Sequence, residues 1–221
     1  MKSLIHLLFC SLVCYSFVFY SLAYSLNAQA DIADISRIYH SSPTLASFEI
    51  CHSGGCADVS QLSLSDSEWQ QINQIFAIKA VNAAQERSQI AMAIGALEKI
   101  IGLKIGTSYD LAGTFDSGSR HGQLDCNDEA INSTTYMRLL KLSGFMPFHA
   151  IEDTRTRNFF FNGWPHSTAV MRDIKTGERF AVDSWFYDNG APATIVPFAL
   201  WKSGYIPADS PIRQPHYSQI K

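Results

Sequence analysis

The chain has 221 residues, 47% of them hydrophobic and 17% charged, with 17 basic against 20 acidic side chains and a formal net charge of −3. Acids and bases are interspersed, so there is no basic stripe or tail of the kind that binds nucleic acid, and that class of partner is excluded. No internal repeat or low-complexity tract interrupts the sequence, which rules out a solenoid or a linker-dominated chain.

Met1 and Lys2 precede a stretch of apolar and hydroxyl-bearing residues from Leu4 to Leu26, followed by Asn27-Ala28-Gln29-Ala30. This is the layout of a secretory signal over residues 1–30, with Ala28 and Ala30 as the small residues of the cleavage site. The apolar run is long for a cleaved signal, so the alternative is a retained amino-terminal anchor, the one case in which a membrane contact is expected. Both readings place the remainder outside the cytoplasm, in the periplasm or secreted. Cys10 and Cys14 lack the small preceding residue of a lipoprotein anchor. About 190 residues follow Ala30, enough for one well-filled core and short for two.

The exported part retains Cys51, Cys56 and Cys126. An odd count in an oxidising compartment leaves one thiol unpaired. Cys51 and Cys56 flank His52-Ser53-Gly54-Gly55, a turn able to bring the two sulfurs together, and their plainest reading is a small structural disulfide. Metal binding is the competing reading, but zinc needs two further ligands that no second cysteine pair supplies. Cys126 is left as the free thiol, and a free thiol kept where thiols oxidise calls for a functional explanation.

Residues 31–64 read as an irregular amino-terminal arm with a short extended piece around Phe48 to Cys51. Ser65 followed by Glu68 is a capping box, and Trp69, Ile72 and Phe76 repeat at helical spacing behind it. A second helical face, Ile90, Ile94, Leu97 and Ile101, runs until Gly102 and Gly106. Both stripes read as core packing. Residues 106–122 form a Gly/Ser/Asp-rich loop, long enough to suggest a use. Then Cys126, Ala130, Ser133, Met137 and Leu140 share one helical face that stops at Gly144, which puts Cys126 in the first turn of a buried helix. Extended runs follow at 145–151, 166–172 and 179–186, the last two joined by a turn at Lys175-Thr176-Gly177 into an antiparallel hairpin. The proline-punctuated remainder from Asn189 reads as a strand or two and an irregular tail.

A thiol becomes a nucleophile when its thiolate is stabilised by a helix amino-terminus and an imidazolium. Cys126 has the first by position. A hairpin closed by two or four residues around 175–177 puts His166 and Asp183 on one sheet face at diagonal positions, about 7 to 8 Å apart at the backbone. A slip of one residue separates them. In the favourable register Asp183 orients the ring, His166 moves the proton and Cys126 attacks a carbonyl carbon. His121 and His149 are competing bases that lack an aspartate at matching strand phase. Trp164 and the Phe159-Phe160-Phe161 segment read either as walls of a groove or as core.

The run Gly122-Gln123-Leu124-Asp125-Cys126-Asn127-Asp128-Glu129-Ala130, then Gly144, His166-Ser167-Thr168-Ala169-Val170 and Ala181-Val182-Asp183, resembles the transglutaminase-like core of the papain-like cysteine enzymes. It is most similar to the bacterial transglutaminase-like cysteine proteinases of the periplasm. The likeness covers residues 85–190, and the domain it implies spans 65–221. It implies an α+β fold with helices packed on an antiparallel sheet, a Cys126-His166-Asp183 triad, and cleavage of a peptide or amide bond in a protein or peptide substrate through an acyl-enzyme. It also implies an oxyanion hole, for which Gln123 is the candidate side-chain donor. Gln123 stands three residues before the cysteine, unlike the adjacent residue of true transglutaminases, which favours hydrolysis over cross-linking. The chemistry requires no cofactor. Asp125, Asn127 and Asp128 read first as helix-capping residues, but two carboxylates beside a thiol oppose its ionisation, and a Ca²⁺ ion held by these three would relieve that conflict, as in the resembling proteinases. The competing functions are acyl transfer to an amine and a non-catalytic binding module on the same fold.

Overall fold

The computed structural model describes Ile38 and residues 41–115, 121–157 and 165–213. The proposed signal, Trp164 and Phe159 to Phe161 lie outside the described residues. Contacts divide the chain into residues 1–40 and 41–221, and everything below belongs to the second unit.

The segment expected to be an irregular arm contains a hairpin. Strands β1 (Phe48–His52) and β2 (Asp58–Leu62) pair antiparallel, from Phe48 opposite Leu62 to His52 opposite Asp58. Its turn consists of Ser53, Gly54, Gly55 and Cys56, all at positive φ (71°, 82°, 60° and 61°). Four left-handed residues in a row cost free energy at the non-glycine positions; here the Cys51–Cys56 disulfide ties the turn's base. The hairpin belongs to the same compact unit as the helices, so the folded region starts well before residue 65.

Helix α1 (Asp66–Ile75) begins as the capping box requires. The Ser65 hydroxyl accepts the Glu68 N–H, and the Glu68 carboxylate accepts the Ser65 N–H at 2.8 Å. Helix α2 (Ala83–Ile105) carries Ile90, Ile94, Leu97 and Ile101 fully into the core and ends at Gly106, whose φ of 82° suits a residue without Cβ. Helix α3 (Cys126–Leu142) follows the glycine-rich loop. Strands β3 (His149–Arg157), β4 (His166–Asp173), β5 (Arg179–Asp183) and β6 (Thr194–Pro197) form an antiparallel sheet in that order.

The architecture is α+β, with helices packed on an antiparallel sheet. Met137 and Leu140 of α3 share a single core cluster with Ile90, Ile94 and Leu97 of α2 and with Ala169, Met171, Phe180 and Val182 of the sheet. Each such side chain contributes about 1.5–3 kcal/mol by leaving water, so α3 is held in place along its whole length. β3 starts four residues later than the apolar run suggested. Phe145 is drawn into the helical layer, stacking on Phe76 at 4.4 Å and on Trp69 at 6.1 Å, and Pro147 has no N–H for a ladder. After β6 a short helix α4 (Phe198–Lys202) returns the chain over the sheet end, followed by a 3-10 turn at Pro211–Arg213.

Candidate active site

The amino-terminus of α3 is built from its own carboxylates and from the disulfide turn. Asp125 Oδ1 accepts the N–H groups of Asn127 and Asp128, both at 2.9 Å, so Asp125 is the N-cap. Its Oδ2 accepts the Gly55 N–H at 2.8 Å. Asp128 accepts the N–H groups of Cys56 (2.6 Å) and Gly54 (2.8 Å) on its two oxygens. The left-handed turn thus points successive backbone N–H groups at two acids, an anion-binding concavity of the nest type. One turn further along, Asn132 exchanges hydrogen bonds of 2.8 Å with both the N–H and the carbonyl of Cys51. Five hydrogen bonds therefore fix the disulfide hairpin to the helix whose first residue is Cys126.

The hairpin register brings His166 and Asp183 together. Ala169 faces Val182 and Val170 faces Ala181 in the ladder, with residues 174–177 closing the turn, so Asp183 sits diagonally across from His166 on the same face. His166 Nε2 lies 2.6 Å from Asp183 Oδ2, and both side chains are essentially inaccessible. The same oxygen accepts the Trp201 indole N–H at 2.7 Å. Aromatic rings enclose the imidazole: Trp185, Phe186 and Trp201 have centroids 4.4, 5.5 and 5.7 Å away. With Asp183 accepting, Nε2 carries the hydrogen and Nδ1 presents a lone pair, an assignment made from the network. Nδ1 is buried and has no hydrogen-bond partner.

Cys126 is buried and unpaired. Its sulfur accepts the backbone N–H of Ser167, the residue after His166, so the thiol lies against the strand carrying the imidazole. Burial pushes the thiol pKa up to about 12, the charges of Asp125 and Asp183 add to the rise, and the Ser167 N–H opposes it. Asn127 Oδ1 accepts the Ser167 hydroxyl at 2.7 Å, a further tie between helix and strand.

The other site expectations fare differently. The Gln123 oxygen accepts the Leu111 N–H (3.0 Å) and the Thr114 hydroxyl (3.1 Å), and its nitrogen donates to the Tyr109 carbonyl (2.8 Å). Three of the amide's four hydrogen-bonding positions are committed to the glycine-rich loop, so its role here is to hold that loop. Asp125, Asn127 and Asp128 do not fit Ca²⁺. All four carboxylate oxygens and the Asn127 oxygen already accept hydrogens, and N–H groups stand where a cation would need bare oxygen lone pairs. No group of three or more metal-ligating side chains suited to an ion occurs among the described residues. His149 does have an acid partner, Glu86 of α2 at 2.8 Å, in a buried pair at the opposite end of the β3–β4 ladder from His166. His121 is exposed.

Sequence reasoning missed Trp201, Arg157 and the loop's attachment. The Trp185 indole donates to the Thr114 carbonyl at 2.8 Å, and the Gly113 N–H to the Trp185 carbonyl at 2.8 Å, so the loop is clasped to the strand end beside His166 and Asp183. Behind it lie three buried acids. Glu98 is raised to about 8 and Asp110 to about 7, while Glu129 is held well above the usual carboxylate range; burial is the leading cause for each. Asp128 likewise rises to about 7 through burial and the neighbouring Asp125. An aromatic residue within the proline-punctuated tail was the one available signal for Trp201.

Comparison with protein-family models, with curated proteins and with solved structures gives no match, and the site stands on its own geometry.

Proposed function

We propose that this chain is an exported cysteine peptidase or amidase, acting through an acyl-enzyme on Cys126 within a papain-like, transglutaminase-like core. The observation that carries the reading is the setting of His166: Nε2 is engaged by Asp183, Nδ1 is left buried without a hydrogen-bond partner, and Cys126 packs with the Trp185, Phe186 and Trp201 rings that enclose the imidazole. A buried polar atom left unpaired costs about 1–3 kcal/mol, and proton exchange with a thiol gives that cost a purpose.

In the reaction, the Cys126 S–H proton passes to His166 Nδ1 as the sulfur attacks the substrate carbonyl carbon. Collapse of the tetrahedral adduct breaks the C–N bond, and the imidazolium returns its proton to the departing amine. Water then attacks the thioester, His166 takes its proton, and the acid leaves as the thiol re-forms. Asp183 keeps the ring in the productive tautomer and stabilises its cation. Burial is the main cause of the high thiol pKa, with Asp125 and Asp183 adding to it. Transfer of its proton to a ring 2.6 Å from a carboxylate makes a paired state in place of an isolated thiolate.

The test is hydrolysis of a mixed peptide and amide substrate set, with mass spectrometry of an acylated Cys126. Wild-type protein is expected to release acid and amine and to carry the adduct, and Cys126→Ala to do neither. A Cys126→Ala protein with full activity would end the reading. Incorporation of an added amine in place of water identifies a transglutaminase. A second reading has its own support, since a thiol pushed to about 12 by burial is also what an inert binding module would hold. Sluggish alkylation of Cys126 at neutral pH would favour it.

A further inference from the structure

Arg157 ends β3 directly opposite His166 in the β3–β4 ladder and is only 4% exposed. Its Nη1 donates to the carbonyls of Trp201 at 2.7 Å and Tyr205 at 3.0 Å, and its Cζ lies 5.0 Å from the centroid of the Trp201 ring. The Nε atom is buried without a partner. Carbonyls satisfy donor atoms but leave the charge itself without a paired counter-ion among the described residues, and an enclosed charge is costly unless another balances it.

The acids that face this charge belong to the thiol site. Asp183 and Cys126 both favour the charged guanidinium, against the burial that opposes it. We propose that Arg157 is a positioning residue of the thiol site, supplying the fixed positive charge that allows a thiolate, an imidazolium and a carboxylate to coexist in this enclosed pocket. The inference rests on the cysteine-histidine reading above. A charge count shows the need. Thiolate, imidazolium and Asp183 carboxylate together leave one negative charge, and Arg157 brings the group to neutrality. The other ionisable groups facing the site, Asp125 at the α3 N-cap and Glu129 one turn along α3, are acids and cannot do this. Lys202, next to Trp201, is exposed. Arg157 also acts through Trp201, because the carbonyl it holds belongs to the residue whose indole donates to Asp183.

The experiment measures iodoacetamide alkylation of Cys126 against pH in wild-type protein and in Arg157→Met, Arg157→Gln and Arg157→Lys, with melting curves for each. Wild type is expected to react with an inflection well below the ordinary thiol value of about 8.5. Met and Gln should move the inflection up by about one pH unit, slowing alkylation about tenfold at pH values below it. Lys should keep the wild-type inflection. All three should melt lower, because the fork to the two carbonyls is lost. An unchanged inflection in a folded Met or Gln variant overturns the proposal and leaves Arg157 a purely structural clamp. If both neutral variants fail to fold, the role is likewise structural and the proposal falls. A wild-type inflection at or above the ordinary value is a separate result that sinks the nucleophile reading itself.

Discussion

Trp201 and His166 converge on one carboxylate oxygen, the indole nitrogen at 2.7 Å and imidazole Nε2 at 2.6 Å from Oδ2 of Asp183. The acid is therefore aimed from two directions. The sheet register brings it near the imidazole, and a helix from the far end of the chain fixes its rotation. A buried carboxylate with two donors on one oxygen has little freedom to turn, so the tail is part of the site.

Replacing Trp201 by phenylalanine keeps an aromatic ring in the layer with Phe198 and His166 but deletes the donor. The variant should unfold about 1–3 kcal/mol more easily, as expected for a lost hydrogen bond to a buried charged group. Urea titration measures that change. Cys126 alkylation should slow at neutral pH in the same protein. A stability loss with alkylation unchanged would mean that the indole supports architecture alone.

The disulfide turn gives a second prediction. Serine at both Cys51 and Cys56 should cost about 2 kcal/mol from the freed small loop, and more as the Gly54, Gly55 and Cys56 N–H groups lose their aim at Asp125 and Asp128. EDTA, in contrast, should leave the melting temperature of the intact protein unchanged, since those carboxylates are already satisfied. A melting temperature that drops in EDTA and recovers with Ca²⁺ would show that the nest is not the native partner of these acids.

Stability should fall as pH rises. Glu98, Asp110 and Glu129 bind protons more tightly folded than unfolded, so their contribution is complete below the ordinary carboxylate range and is lost as pH climbs through the raised values of about 7 for Asp110 and about 8 for Glu98. Between the ordinary carboxylate range and about pH 7 the native state holds the extra protons, so stability declines with rising pH, and above that Asp110 stops contributing first. Melting temperatures across that window should decline, and Glu98→Gln or Asp110→Asn should flatten the decline. A melting temperature that rises from pH 5 to pH 8 would contradict the protonated cluster.

Gly95 lies where α2 meets the loop after Asp183. A Cβ there would strike the Ala191 carbonyl, with its carbon 2.7 Å and the Gly190 oxygen 2.9 Å away. Backbone on both sides leaves little room to yield. Gly95→Ala is expected to destabilise by about 1–3 kcal/mol, the usual range for overpacking, despite alanine's higher helix propensity. Chemical denaturation decides it, and a stabilised variant would mean that the loop can withdraw.

Much of this arrangement was legible in local patterns. Ser65 with Glu68, the Ile90-Ile94-Leu97-Ile101 stripe and Gly106 each carry a short-range rule, and the structure obeys all three. The diagonal placement of His166 and Asp183 was legible too, because strand period and turn length determine phase. What escaped were partnerships without local periodicity. Asp125 and Asp128 invited a cation because their distant N–H partners, some 70 residues earlier, leave no trace in spacing. Trp201 meets Arg157 and Asp183 only after the tail folds back. Phe145 joined the helical layer because two aromatic rings were waiting there, a tertiary contact that overrode its extended-looking neighbourhood.

Residues 174–177 make an exposed turn, held by the Asp173 carboxylate accepting the Lys175 and Thr176 N–H groups. Surface turns ordinarily accept insertions and deletions freely. This one has less liberty, because any length change that shifts the β4–β5 pairing by one residue turns the faces of β5 over and carries Asp183 away from the imidazole. Across descendants of this sequence, length changes in this turn should therefore be ones that keep the β4–β5 register, and a lineage whose register has slipped should have lost its need for the acid.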